Sequence, residues 1–258
     1  MNYWAERALK AQEELTKKNI KQTEKQLKKY YADSMKKILG QFEKTYNKVL
    51  LSIGEGKEPT PADLYKLDAY WQMNGQLRRE LQKLGDKQAV LFSKNFELHF
   101  FEVYYSFAIP GQEAFTQIDN AMIQQLINQI WVADGKSWSQ RIWENTEKLQ
   151  EALNEELIHC VVAGKKTTEL KNLLQEQFEA SYGRADSLVR TEIAHIQTQA
   201  AQQRYKDYGI QEVEVWADED ERRCKICGKL HQKRYKVGSM MPIPAHPRCR
   251  CSIIPVID

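Results

Sequence analysis

Between residues 2 and 52, apolar side chains return at spacings of three, four or seven: Leu9, Thr16, Ile20, Leu27, Tyr31, Met35, Ile38, Phe42, Tyr46 and Val49. Charged and polar residues fill most of the remaining positions, and neither Pro nor Gly interrupts the run before Gly40. That pattern predicts one long helix with a narrow apolar stripe. About 50 helical residues extend about 75 Å, well past the usual globular helix, so the stripe needs a partner in this chain or another.

The next stretch, Gly54 to Pro59, is rich in turn residues and is the best hinge candidate. Thr60-Pro61-Ala62-Asp63 then looks like a helix start, with Thr as cap, Pro in the first turn and Asp at the positive end of the dipole. Helices are expected over about 61–84, 86–108, 112–131, 137–163, 168–179 and 186–208. Gly85, Pro110-Gly111, Asp134-Gly135, Gly164 and Gly209 punctuate them. The aromatic run 96–108 reads alternatively as a strand. His99 within it, and Trp131, Trp138 and Trp143, read as core fillers. After Gly209 the period changes to two. Glu212 to Trp216 alternates as a strand, and Cys249 to Val256 reads as a second strand. The expected fold is therefore mainly α: a long N-terminal helix (1–53), a helical domain (54–130), and a segment 131–258 ending in a small α+β Cys/His knuckle at about 210–258.

Composition supports a chain with a core, at 42 % hydrophobic and 28 % charged residues. There is no apolar run of about 18 residues, so no membrane span or membrane partner is expected. The N-terminus carries charge where a signal peptide needs an apolar stretch, which points to a cytoplasmic protein. The net charge of +3 conceals polarity. Residues 1–48 are net +6, residues 222–251 are net +9 with no acid, and the remainder is −12. The nine cations of the second run are Arg222, Arg223, Lys225, Lys229, Lys233, Arg234, Lys236, Arg248 and Arg250, the candidate contacts to nucleic acid or an acidic partner. Solvated charge explains both basic segments equally simply.

Four of the five cysteines lie in the last 35 residues. Cys224-x2-Cys227 is followed, after 18 residues, by His246-x2-Cys249 and then Cys251. Two short-gap pairs joined by a longer loop suit a tetrahedral zinc site, and two intervening residues let the chain curl around one ion. Cys224, Cys227, His246 and Cys249 are the favoured ligands. Cys251 can substitute for any of them, and His231 is a sixth donor. A disulfide, or reduced metal-free thiols, remain open. A redox role is disfavoured because no strand–CxxC–helix pattern is evident. With all ligands supplied by the protein the site is structural, and no catalytic residue is assigned. The chain lacks the phosphate-binding loop, the dinucleotide fingerprint, GxSxG and HExxH. The acidic run Asp218–Glu221 and the mid-helix Arg190-Thr191-Glu192 read as a solvated turn and as structural pair formers.

Trp216-Ala217-Asp218 with Asp220, Cys224-x2-Cys227 and His246-Pro247-x-Cys249-Arg250-Cys251 together resemble the C-terminal signature of the phage Mu protein-F-like head morphogenesis family. The stretch from Asp134-Gly135-Lys136 to Trp143, then Gly164 and Arg190-Thr191-Glu192, is similar as well, and Tyr3-Trp4-x-x-Arg7 resembles the start of minor head proteins. The resemblance covers about 131–256 well and the N-terminus loosely. It implies a low-copy structural head protein that is not an enzyme and acts in procapsid assembly. It would be bound to the portal and in contact with capsid or scaffold proteins. Double-stranded DNA, bound without sequence specificity, is a further candidate partner. Its place would be inside the phage head, and the host cytoplasm during assembly. Some relatives carry a toxin or enzyme domain after the signature; with seven residues following Cys251, none is expected here. A zinc-knuckle nucleic-acid regulator is the alternative, and a hydrolase built on His231, His246 and Asp218–Glu221 a third.

Overall fold

The computed structural model describes residues 3–53, 60–109, 118–218, 220–221 and 223–257, apart from the side chains of Leu50 and Ile53. The expected hinge at 54–59, the Pro110-Gly111 break, Glu219 and Arg222 lie outside the described residues. Seven helices are described: α1 (Tyr3–Ile53), α2 (Pro61–Tyr65), α3 (Asp68–Ser106), α4 (Asn120–Ile127), α5 (Trp138–Val162), α6 (Thr167–Asp207) and α7 (Lys225–Leu230). Three strands, β1 (Glu212–Trp216), β2 (Arg234–Lys236) and β3 (Ser252–Pro255), form an antiparallel sheet in the order β2-β1-β3. The mainly helical class with a small C-terminal sheet matches the expectation. No described helix is long and apolar enough to cross a membrane.

Several boundaries differ. The helix start at Thr60 is real: its backbone N–H and hydroxyl both donate to the Asp63 carboxylate, at 3.1 and 2.7 Å. That helix lasts only five residues, however, and α3 then runs unbroken through Gly85 and through 96–108, so neither the break nor the alternative strand occurs. Gly85 is a packing residue. A Cβ there would come within 2.5 Å of Cζ3 of Trp143, so the missing side chain makes room for the indole. Likewise 168–179 and 186–208 are one helix, α6. Its buried positions Leu170, Leu174, Phe178, Ser181, Ala185 and Val189 hold helical spacing straight across the expected gap. Only Asn120–Ile127 of the expected helix 112–131 is described as helical.

The described residues fall into two compact units that do not follow the expected boundaries at 53 and 130. Unit 1 gathers Met1–Glu24, Leu91–Trp138 and Ser187–Asp258; unit 2 gathers Lys25–Val90 and Ser139–Asp186. The reason is length: α1, α3 and α6, at 51, 39 and 41 residues, each contribute to both units.

Unit 2 is a helical core of Ile38, Phe42, Met73, Leu77, Leu81, Leu149, Leu153, Leu157 and Leu174, all buried. One polar node interrupts it. The Tyr31 hydroxyl lies 3.1 Å from Ser181 Oγ and accepts from Asn145 Nδ2 at 3.2 Å, while Arg184 Nε donates to Asn145 Oδ1 at 2.6 Å. Burial pushes the Tyr31 phenol up to about 12, so it stays a neutral donor. The Tyr46 hydroxyl donates to the carbonyls of Cys160, at 3.1 Å, and of Lys165, satisfying backbone groups at the end of α5.

Unit 1 packs Phe92, Phe96, Phe100, Val103, Ile193, Ile196 and Tyr205 with Val213, Val215, Ile253 and Ile254 of the sheet. Within α1 the buried stripe is not the purely apolar one expected. Gln12, Asn19 and Thr23, and in unit 2 Ser34, are buried, whereas Leu9, Ile20 and Met35 are only partly so. Gln12, Asn19 and Thr23 can be inside because each donates a hydrogen bond there. Gln12 Nε2 donates to the Tyr205 hydroxyl at 3.1 Å and to the Ile253 carbonyl at 3.0 Å, and Asn19 Nδ2 donates to the Asn95 carbonyl at 3.3 Å. His99 is wholly buried, as expected of a core residue, 3.4 Å from Thr16 Oγ1.

Candidate metal centre

The centre is assembled by three short pieces that follow β1. Cys224 caps α7, and its sulfur accepts from the Cys227 backbone N–H at 3.3 Å. One helical turn brings Cys227 to the same side as Cys224. The region between the cysteine pairs, expected as loop, thus contains α7 and the short strand β2. The return segment supplies His246, Cys249 and Cys251 before entering β3. A left-handed Arg248 (φ 60°) makes the bend between them, and its N–H donates to Thr191 Oγ1 of α6 at 3.0 Å. Thr191 therefore anchors the bend. Its neighbours are structural: Arg190 pairs with Glu24 at 3.3 Å, and buried Glu192 accepts from Trp131 Nε1 at 3.0 Å.

The donor atoms converge. Those of Cys224, Cys227 and His246 lie within 4.8 Å of one another, as do those of Cys227, Cys249 and Cys251. His246 Nε2 is 3.3 Å from Cys224 Sγ and 3.1 Å from Cys227 Sγ, and Cys227 Sγ is 3.7 Å from Cys249 Sγ. Tetrahedral zinc, bonded to sulfur at about 2.3 Å and nitrogen at about 2.0–2.1 Å, sets its donors about 3.5–3.8 Å apart. The set is thus compact enough to hold a metal ion. All five cysteines are free thiols.

The imidazole is oriented for this task. His246 Nδ1 lies 2.8 Å from the Pro247 carbonyl. A carbonyl only accepts, so Nδ1 carries the proton and Nε2 presents its lone pair to the two sulfurs. The thiols do not share one protonation preference. Burial pushes Cys227 up to about 12. Cys249 is drawn down to about 5, first by its hydrogen bond from Cys251, whose own thiol the same bond pushes far up. Cys224 is lowered by the Cys227 backbone N–H. Crowded sulfurs cannot all ionise while no cation separates them, and a dication reverses that preference.

An ion-pair clamp braces the return segment. Arg250, between Cys249 and Cys251, reaches Asp218 at 2.8 Å and both Asp220 oxygens at 2.6 and 2.7 Å. The aspartates after Trp216 therefore have a physical role: they hold the segment that carries two donors into β3. His231 does not join the cluster. Its Nδ1 accepts from the Ala217 N–H at 3.2 Å and its ring packs edge-on against Trp216. Of the residues in the hydrolase reading, His231 is engaged by Ala217, and Asp218 and Asp220 by Arg250, while Asp218 and His246 line one small cavity.

The basic residues are distributed unevenly. Arg250 is committed to the clamp, and Arg234 lies 3.6 Å from Glu214 and 4.0 Å from Glu212. Arg223, Lys225, Lys229, Lys233, Lys236 and Arg248 are exposed. The sequence signal for the clamp is only that the acidic run and the basic tail are dense opposite charges near the cysteines; it does not say that Arg250 meets Asp218 and Asp220.

Comparison with known proteins agrees with the geometry. The family described as phage Mu protein F like protein matches residues 151–254, which include every donor of the cluster. A curated relative, an NAD(+)--arginine ADP-ribosyltransferase EFV of Enterococcus faecalis (strain ATCC 700802 / V583), is 25 % identical over 268 residues. That alignment covers 95 % of this chain and 53 % of the relative, so the chain spans about half the relative's length. No solved structure matches the chain. The family supports a structural role in bacteriophage head morphogenesis, in company with other head proteins of the virion. Over residues 151–254, then, this chain is similar to the phage Mu protein F-like family.

Proposed function

We propose that the chain is a minor head protein that acts in procapsid assembly, binds the portal and contacts capsid or scaffold proteins. Its C-terminal knuckle is closed by one structural zinc ion. The observation that carries this reading is the convergence of Cys224, Cys227, His246, Cys249 and Cys251 inside the family-matched segment. Cys224, Cys227, His246 and Cys249 would hold the ion, with Cys251 a reserve thiol beside them. Bound zinc would supply a cross-link among segments too short to form a core alone. Four protein ligands leave no position for water, which favours a structural over a catalytic site.

The relative's name describes a protein about twice as long, and for this chain we propose no ADP-ribosyl transfer. A nucleic-acid regulator is less well supported, because α7 has six residues, too few for a helix that reads a groove. The test is co-expression with the phage portal protein, with zinc measured in the co-eluting fraction. About one zinc per chain and a stable complex are expected for the wild type, and loss of zinc for Cys224→Ala/Cys227→Ala. A chain that elutes alone and zinc-free would overturn the reading. Incubation with NAD and an arginine analogue should give no modified product.

A further inference from the structure

We infer that an open groove in unit 2, lined by lysines, is a docking surface for the phosphate backbone of duplex DNA. This rests on the head-protein reading and goes beyond it by adding a DNA contact, on a different compact unit from the knuckle. The groove is lined by Asp33, Lys36, Lys37, Gly40, Gln41 and Lys44 of α1 with Lys87 of α3. Four ammonium groups face one carboxylate. Over residues 25–48, α1 carries seven lysines against Asp33 and Glu43, so the bias extends beyond the groove. Gly40 leaves the middle of the lining open, since nothing lies within 4 Å of the position its Cβ would take.

The charges are available. Lys36 and Lys44 have no acidic partner among the described residues. Lys37 shares the partly buried Glu80 with Lys83, at 3.4 and 2.8 Å, so one carboxylate is divided between two exposed lysines. Lys87 lies 5.5 Å over the Tyr30 ring, which orients it without neutralising it. Lys36 and Lys44 are eight residues apart, about 12 Å along a helix, and a duplex carries one negative charge per about 1.7 Å of axis.

The lining also separates DNA from an acidic protein. It contains no Trp, Tyr, Arg or large apolar side chain, the groups that anchor protein interfaces. Lysine is a point charge without the fork that reads carboxylates and bases, so the surface suits a repeating anion and no particular sequence. The C-terminal basic run is the weaker candidate, because Arg250 and Arg234 already face acids.

The experiment measures binding of the full chain to two unrelated duplexes by fluorescence anisotropy across a salt series. Lys36→Gln/Lys44→Gln/Lys87→Gln is compared with Lys225→Gln/Lys229→Gln/Lys233→Gln, and each variant's melting temperature, zinc content and portal co-elution are measured alongside. The groove variant should lose at least about tenfold in affinity for both duplexes. Its salt slope should fall by about 2.7, or 0.9 per phosphate contact removed. The tail variant should stay close to wild type. Absence of wild-type binding, an unchanged groove variant, or loss only in the tail variant would each overturn the inference. Tighter binding of polyglutamate than of duplex would overturn it in favour of an acidic protein. Zinc content and portal co-elution report on the head-protein reading separately, so the two can fail independently.

Discussion

Unit 2 and the C-terminal knuckle reach stability by opposite routes. Unit 2 buries leucine, isoleucine and phenylalanine along several long helices, so its interior is redundant and any one contact is a small fraction of the whole. The knuckle, residues 212–257, has a five-, a three- and a four-residue strand and a six-residue helix. Its β1 and β3 bury Val213, Val215, Ile253 and Ile254, but the stretch from Cys224 to Cys251 is held at points: five donors, one arginine clamp and one backbone bond to Thr191. Small folds with little apolar interior need such staples. The contrast teaches that damage should be graded in one region and all-or-none in the other.

Removing the staple is the strongest way to break that comparison. Chelation, or Cys224→Ser/Cys227→Ser, should open the knuckle while leaving most helicity intact, because apparent binding energies of structural zinc reach about 10–16 kcal/mol. Limited proteolysis should then cut within 212–257 and spare unit 2, and circular dichroism should change little. Cooperative loss of all helicity would refute the division.

Acid comes next. Burial lowers His99 to about 3 and His195 to about 4. Both lie in unit 1, and in the unfolded chain each titrates near 6.5. Between those values the unfolded state binds more protons, so stability is complete above about pH 6.5 and falls as pH drops towards 4. Shifts of this size amount to a few kcal/mol each, in order of magnitude. Melting temperature against pH should show the fall, and His99→Gln should flatten it.

Within unit 2, Gly85→Val drives a branched side chain into the Trp143 ring and should cost about 2–3 kcal/mol by thermal melting, with zinc content unchanged. Tyr31→Phe removes the partner of Ser181 Oγ and one of two acceptors of Asn145 Nδ2, and should cost about 1 kcal/mol. The smallest effect is expected at the clamp. Arg250→Lys keeps the charge but loses the fork on Asp220. Because the pair is partly exposed, about 0.5–1 kcal/mol is at stake, read best as faster release of zinc to a chelator.

The sequence was most legible where one local rule acted alone. The stripe from Leu27 to Val49 set α1, the alternation of Glu212–Trp216 set β1, and the spacing of Cys and His brought the five donors together. It misled where distant residues decided. Gly85 looks like a stop until Trp143 is known to sit against it. The stretch Ala180–Ala185 looks like a gap until Ser181 is seen buried against Tyr31. Gln12, Asn19 and Thr23 read as surface because their partners lie elsewhere in the chain or in the helix's own backbone. At the centre, donor identity was legible but the brace was not. Arg250 read as a free cation, and only folding places Asp218 and Asp220 against it.

The amide of Gln12 donates to the carbonyl of Ile253, 241 residues away. The opening turns of α1 and the last strand therefore complete one interior together. A ribosome releasing this chain must hold the first segment incomplete until Ile253 has emerged. The residues of unit 2 end at Asp186 and so emerge earlier. Closure of such a long loop is slow, and during that interval the early part of α1 presents its unsatisfied polar seam to chaperones or to assembly partners.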